Sequence, residues 1–407
     1  MNDYQSYTLT NGLRLIHKPS NSNVSYCGFF VNAGTRDELN GEFGMAHFVE
    51  HMLFKGTQKR RSFHIINRME AVGGDLNAYT NKEETVLYSV FLEDHFERAF
   101  ELLSDLTFHS VFPQSEIEKE VDVILDEISS YEDNPSELIY DEFENIVFQH
   151  SQLGHNILGD NSSLLTFNTQ KAQVFVSSNY VPSNIVFFSL GKTDFKKIIR
   201  LANKYLSDLD LTINRHEREV PLKQKVRAEN IIKDTYQAHV MLGGNAYGLH
   251  DKKRKTLSLL NNILGGPGMN SRLNISLREK RGYVYNVESN VTAYTDTGLF
   301  SIYFGTDRQN IDKCLRLVNK ELKLLKENKL SAMQLSAAKK QLMGQIGVSN
   351  DNHENISLSL GKSFMHYNHF NSMEETFRKI DSISSEDLLE VANEIFDENN
   401  LSQLIYR

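Results

Sequence analysis

Two imidazoles and a carboxylate fall within five residues, His47-Phe48-Val49-Glu50-His51. At 100° per helical residue, His47 and His51 project about 40° apart, with Glu50 beside them on the same face. Two neutral imidazoles spaced four apart can chelate one zinc ion from a single helix, and the adjacent carboxylate can reach a metal-activated water. The order His-x-x-Glu-His inverts the commoner zinc-protease helix. The plain alternative is two histidines sharing a solvated face. With 14 histidines in 407 residues, chance seldom produces the pentad. Apolar Met45, Phe48, Val49, Met52 and Leu53 also place this helix in a core, where buried histidines need partners that a metal would supply.

A catalytic zinc keeps three protein ligands and an open corner for water, so one zinc per chain needs a third ligand from elsewhere. The next acidic helix, over 115–131, offers Glu116, Glu118, Glu120, Asp122, Asp126 and Glu127, with Glu132 just beyond. Ile117, Val121, Ile124, Leu125 and Ile128 mark its buried stripe. Glu120 and Glu127, seven apart and nearly eclipsed, both border that stripe. Periodicity leaves both open as ligand or supporting acid.

The elements that must hold these groups alternate without a steady βαβ rhythm. Tyr7–His17 alternates around the turn Asn11-Gly12, Val24–Ala33 is an apolar strand, and Phe43–Phe54 has helical periodicity. Asn77–Leu92 reads as a hairpin, followed by an amphipathic helix over 95–108. A repeat is visible. Ala78-Tyr79-Thr80 and Leu87-Tyr88-Ser89-Val90-Phe91 return as Ala293-Tyr294-Thr295 and Leu299-Phe300-Ser301-Ile302-Tyr303-Phe304, each copy followed by a helix. The fold class is therefore α+β, two similar repeated domains, each a mainly antiparallel sheet packed with helices. The boundaries read as a zinc-bearing domain over 1–210, a polar linker over 211–229 containing Pro221, and a second repeat over 230–407.

Composition bounds the rest. The chain carries 44 basic and 53 acidic residues, a net charge of −9, which argues against nucleic acid as partner. No stretch has the roughly 18 apolar residues of a membrane span. Met-Asn-Asp-Tyr-Gln-Ser lacks the features of a signal peptide. Cys27 and Cys314, in apolar segments far apart, read as buried reduced thiols, and a cytoplasmic location is expected.

The pentad, together with Phe54-Lys55-Gly56-Thr57, Gly73-Gly74, Asn77-Ala78-Tyr79-Thr80 and the 76-residue step from His51 to Glu127, resembles the pitrilysin/insulinase family of zinc metallopeptidases. The likeness is to its short two-domain members, such as the mitochondrial processing peptidase and bacterial relatives. It implies that His47, His51 and Glu127 bind zinc, Glu50 is the general base, and Glu120 supports the site from behind. In the second half, the register places Ser258, Asn261 and Asn262 opposite His47, Glu50 and His51, with Ala338 opposite Glu120 and Gln345 opposite Glu127, so this copy holds no zinc. It carries instead Gly265-Gly266-Pro267-Gly268-Met269 and Leu277-Arg278-Glu279-Lys280-Arg281-Gly282-Tyr283-Val284-Tyr285. These resemble the family's glycine-rich segment and its Arg-Tyr pair, implying that Arg278 and Tyr285 hydrogen-bond the substrate backbone and scissile carbonyl.

The expected activity is hydrolysis of peptides or unfolded polypeptides in an enclosed chamber. Water activated by zinc gives its proton to Glu50 as it attacks the carbonyl, Tyr285 shares the oxyanion, and Glu50 then protonates the leaving amine. Substrate is expected to lie extended along Asn77, Ala78, Tyr79 and Thr80. One chain with both residue sets is expected to pair with itself, Arg278 and Tyr285 of one copy completing the zinc site of the other. The competing readings are a non-catalytic assembly subunit of the same fold, one half of a hetero-oligomer, and a protease that removes one specific leader peptide.

Overall fold

The computed structural model describes residues 3–209, 217–233 and 235–407. Its strands are built from Val, Ile, Phe, Tyr and Thr, the residues that suit a pleated, packed surface. They form two sheets. The first contains β1 (Gln5–Thr8), β2 (Arg14–Pro19), β3 (Val24–Val31), β4 (Asp75–Thr80), β5 (Thr85–Leu92) and β6 (Ile185–Gly191), in the order β1-β2-β6-β3-β5-β4. The second contains β7 (Ala228–Ile231), β8 (Ala238–Ala246), β9 (Val284–Ala293), β10 (Gly298–Thr306) and β11 (Ser402–Tyr406), in the order β7-β11-β8-β10-β9.

With β1 set aside, the two orders match strand for strand. In each sheet one pair is parallel, β2 with β6 and β7 with β11, and every other pair is antiparallel. This is the α+β repeat that the sequence announced. The hairpin expected within 77–92 is β4 and β5, and the helices expected over 95–108 and 115–131 are Phe96–His109 and Gln114–Glu132. Cys27 and Cys314 are both buried and free. No helix among the described residues is long and apolar enough to cross a membrane.

The repeats are contiguous in sequence, but the compact units are not. One unit comprises Met1–Ile128, Asn156–Arg218 and Ser349–Ser372, and the other Ser129–His155, Glu219–Val348 and Met373–Arg407. Each repeat lends a helix to the other repeat's sheet. In the first unit, the late helix His353–Tyr367 lays Leu360, Phe364 and Met365 on Ile16, Phe30, Val86, Val186 and Phe188. Gly361 permits that approach, because a Cβ there would sit 2.5 Å from the Phe30 ring. In the second unit, the early helix Pro135–Val147 sets Ile139, Phe143 and Val147 against Met241, Tyr303, Leu404 and Tyr406. Burying each such side chain contributes about 1.5–3 kcal/mol. The donated helices are therefore integral to both cores. Of the expected linker over 211–229, residues 211–216 lie outside the described residues. Arg218 is bound to Asp37 at 2.6 Å in the first unit, and Ala228 already begins β7.

Candidate metal centre

The pentad lies on the helix Met45–Leu53, where Met45, Phe48, Val49, Met52 and Leu53 are all fully buried. Its start is fixed by two devices. Gly44 precedes it at φ 92°, in left-handed backbone, and a Cβ there would meet the Leu158 carbonyl at 2.6 Å, so glycine is required. The buried Glu38 carboxylate then accepts the Gly44 N–H at 2.9 Å and the Ala46 N–H at 2.8 Å. It satisfies orphan donors and opposes the helix dipole.

On one face of this helix, His47 and His51 place their rings 4.5 Å apart. Glu127 Oε2, from the helix Gln114–Glu132, lies 3.9 Å from Nε2 of each. The three ligand atoms lie within 4.8 Å of one another, and no other trio of His, Cys, Asp or Glu among the described residues gathers in this way. Tetrahedral zinc with arms of about 2.0–2.2 Å needs ligand atoms about 3.3–3.5 Å apart. The carboxylate thus stands about half an ångström from a closed ligand set, and the donor chemistry, two nitrogens and one oxygen, fits zinc with a fourth corner open.

Glu120, which the helical period could not separate from Glu127, does different work. It is buried whereas Glu127 is exposed, and its Oε1 accepts from His51 Nδ1 at 3.0 Å. That bond puts the proton on Nδ1 and leaves Nε2 free to coordinate. Lys55 Nζ closes on Glu120 Oε2 at 2.5 Å. Nothing in the spacing singles out Lys55, which stands four residues beyond His51 and just past the end of the helix.

Electrostatics separate the groups further. Burial, with the neighbouring His51, lowers the His47 pKa to about 3, so its ring is the neutral form that a metal takes. Burial alone would lower His51 too, but the Glu120 bond and the charges of Glu50, Glu120 and Glu127 raise it. Burial would raise Glu120, yet His51 and Lys55 hold it below the usual carboxylate range. Burial pushes Glu50 above that range, partly offset by the Thr80 hydroxyl and by His51, while Glu127 adds to the rise. A more basic carboxylate is the better proton acceptor near neutral pH. The buried Tyr180, another residue that the sequence did not flag, has its phenol pushed up by burial and by the Glu50 charge.

Thr80 ends β4, the outermost strand of its sheet. Such an edge carries a row of free backbone groups. Side chains alternate along it, and Tyr79 packs beside the donated-helix core. Asn77, Ala78, Tyr79 and Thr80 all lie on this edge strand.

Arg278 and Tyr285 belong to the second unit. Arg278 lies in the π-helical turn Asn274–Glu279, and Tyr285, 81% exposed, lies at the start of β9. The guanidinium stands 5.7 Å from the Tyr285 ring centroid, a cation–π arrangement that fixes the pair. Arg278 also lines a cleft of about 450 Å³ formed with Ser258, Asn261, Asn262 and the glycine segment Gly265–Met269. The structure thus brings together His47, His51, Glu127, Glu50, Glu120 and Thr80 in one unit, and Arg278 with Tyr285 in the other.

Comparison with known proteins gives a consistent result. Residues 14–161 match the family described as Insulinase (Peptidase family M16), and residues 166–342 match the Peptidase M16 inactive domain. An uncharacterized zinc protease of Rickettsia bellii is 32% identical, the alignment covering 98% of this chain and 96% of that protein. The uncharacterized zinc protease YmxG of Bacillus subtilis is 28% identical over 98% and 97%. Among solved structures, a protease from Helicobacter pylori superposes with a TM-score of 0.92 at 20% identity, over 99% of both chains. A peptidase M16 inactive domain from Pseudomonas fluorescens gives 0.92 at 21% identity, over 100% of this chain and 98% of that one. At those identities the solved structures speak for the fold alone.

Proposed function

The chain belongs to the pitrilysin/insulinase family, peptidase family M16, in its short two-domain form, and we propose that it is a zinc-dependent endopeptidase acting on peptides or unfolded polypeptides. One observation carries this reading: two imidazole nitrogens and a carboxylate oxygen converge within 4.8 Å beside a carboxyl whose basicity is raised. Zinc, when bound, supplies a Lewis acid that polarises the peptide carbonyl and makes water acidic.

The chain's own residues do the rest. His47, His51 and Glu127 would hold the ion, with Glu120 fixing the His51 ring. Glu50 takes the proton from the attacking water and returns it to the leaving amine. Tyr285 donates to the developing oxyanion and Arg278 to the neighbouring backbone, contacts worth about 3–4 kcal/mol each in comparable sites. Substrate pairs its main chain with β4, so sequence preference is loose. The working assembly is a homodimer in which Arg278 and Tyr285 of one copy serve the zinc of the other, enclosing a chamber that admits peptides and unfolded chains. The site of action is the cytoplasm.

The test begins with zinc content and fluorogenic-peptide turnover of the wild type beside Glu50→Gln. One zinc per chain in both, with turnover only in the wild type, is the expected result. Zinc without turnover in the wild type would favour an assembly subunit. Cleavage of one leader peptide and of no general substrate would favour a maturation protease. Mixing Glu50→Gln chains with Arg278→Ala chains then tests assembly, because completion in trans restores activity and self-sufficient chains do not.

A further inference from the structure

The segment that leaves the pentad helix is tied to the segment that enters the acidic helix Gln114–Glu132. Gln58 N–H donates to the His109 carbonyl at 2.9 Å and Val111 N–H to the Gly56 carbonyl at 3.2 Å, an antiparallel bridge that pairs Thr57 with Ser110. Side chains reinforce it. The buried Thr57 hydroxyl accepts the N–H groups of Lys59 and Arg60 at 3.1 and 2.9 Å and donates to Asp105 at 2.8 Å. The Arg60 guanidinium bonds Asp105 at 2.5 Å and Glu101 at 2.7 Å, both on the helix Phe96–His109. The end of the helix that carries His47 and His51 is therefore fastened to the start of the helix that carries Glu127.

Lys55 lies inside this junction, two residues past the pentad helix. Its Nζ reaches Oε2 of the buried Glu120 at 2.5 Å, while His51 Nδ1 holds Oε1 at 3.0 Å. Each carboxylate oxygen thus has its own donor. The terminal torsion of a glutamate is broad, so a bond to His51 alone would leave the carboxylate free to turn about that contact. Two bonds from separate donors fix its plane. A fixed Glu120 plane in turn fixes the His51 ring, because ring and carboxylate share a bond.

We propose that Lys55 is a positioning residue for the metal centre: anchored in the bridged junction, it holds the Glu120 carboxylate in the orientation that keeps His51 Nε2 turned toward Glu127. The inference rests on the zinc part of the proposed function and does not depend on peptide hydrolysis. Partners one step behind a ligand commonly govern metal affinity by orienting that ligand. Lys55 stands one step further back and works only through Glu120.

A double-mutant cycle on zinc affinity tests this, read by competition with a chelating dye for the wild type, Lys55→Met, Glu120→Ala and the double variant. Crystal structures of the four zinc-free proteins are read for Glu120 and the His51 ring. Lys55→Met keeps an unbranched stem and removes the charge and its donors. It should weaken zinc binding by about 10-fold, with the Glu120 carboxylate turned and the His51 ring displaced or multiply placed. In the Glu120→Ala background the same change should shift affinity by less than about twofold, because residues that act through one another are not additive. Lys55→Arg, which returns a cation, should recover most of the affinity. If Lys55→Met does not fold, Lys55→Gln takes its place in the cycle. Losses that multiply in the double variant overturn the proposal, as does Lys55→Met with wild-type affinity and an unmoved Glu120. A wild type that binds zinc but cleaves no peptide ends the peptidase reading alone, and the cycle still decides the role of Lys55. A wild type that binds no zinc overturns both.

Discussion

The two sheets share a strand order, and in each a helix packs along the outermost strand: Met45–Leu53 beside β4, and Arg254–Gly265 beside β9. In the first unit that helix carries His47, Glu50 and His51. In the second it joins its edge strand through Asn261, whose Nδ2 donates to the Ser289 carbonyl at 2.9 Å. The architecture is the same, but the chemistry differs. One side places carboxylates and imidazoles where a cation can sit. The other lines its cleft mainly with amides, hydroxyls and glycines, with Arg278 and Glu288 as its charged groups, a set that suits hydrogen bonding and holds no metal-ligand cluster. Backbone topology thus supplies two equivalent ledges, and a handful of side chains decides what each can hold.

The sharpest way to break this contrast is to count metal. His47→Ala should abolish zinc binding and turnover, while Ser258→Ala leaves one zinc per chain, read by atomic emission on dialysed protein. Two zinc ions per wild-type chain would end the asymmetry. Next in size, Tyr285→Phe should lower kcat by about 100- to 1,000-fold with zinc content and melting temperature unchanged, because the phenol is exposed and lies outside the ligand set. A loss of zinc in that variant would mean that the second unit supports the metal after all.

Glu120→Gln should weaken zinc affinity by about 10- to 100-fold, measured by competition with a chelating dye, since His51 loses the charged acceptor that orients its ring. Acid should then soften the first unit. His366 and Lys362 hold Glu84 down at about 2 against its burial, so the stabilisation is complete above its unfolded pKa near 4.5 and disappears as pH falls toward 2. The wild type should lose about 2–3 kcal/mol across that window, and Glu84→Gln should start less stable and lose less. Thermal melts from pH 6 to pH 2.5 read this directly. The smallest effect is local: Glu38→Ala should cost about 1 kcal/mol by uncapping the pentad helix, with the helix Arg254–Gly265 unaffected in hydrogen exchange.

Much of this was legible in the chain itself. Three-dimensional chemistry reduces to one-dimensional spacing wherever a single helix or hairpin holds all the groups involved. The i, i+4 imidazoles with their neighbouring carboxylate, the repeat, the antiparallel hairpin and the absence of metal groups in the second copy are all of this kind. Partners contributed by distant segments left no such trace. No spacing in the chain points to His366, because its acid, Glu84, lies 282 residues away, and Lys55 gains a partner only where Glu120 arrives from another helix.

Helical periodicity leaves Glu120 and Glu127 alike, and in the sequence only the family resemblance names Glu127 as the ligand. The physical reason comes from tertiary structure, which buries Glu120 against His51 and leaves Glu127 exposed beside the imidazole pair. Tertiary structure alone showed that each repeat lends a helix to the other's sheet, because any apolar helix face of the right width satisfies a sheet whatever its place in the chain. Sequence fixes periodicity and chemical capacity, since both are properties of neighbours along the backbone. Which capacities meet is decided by packing, which joins residues that the chain keeps far apart.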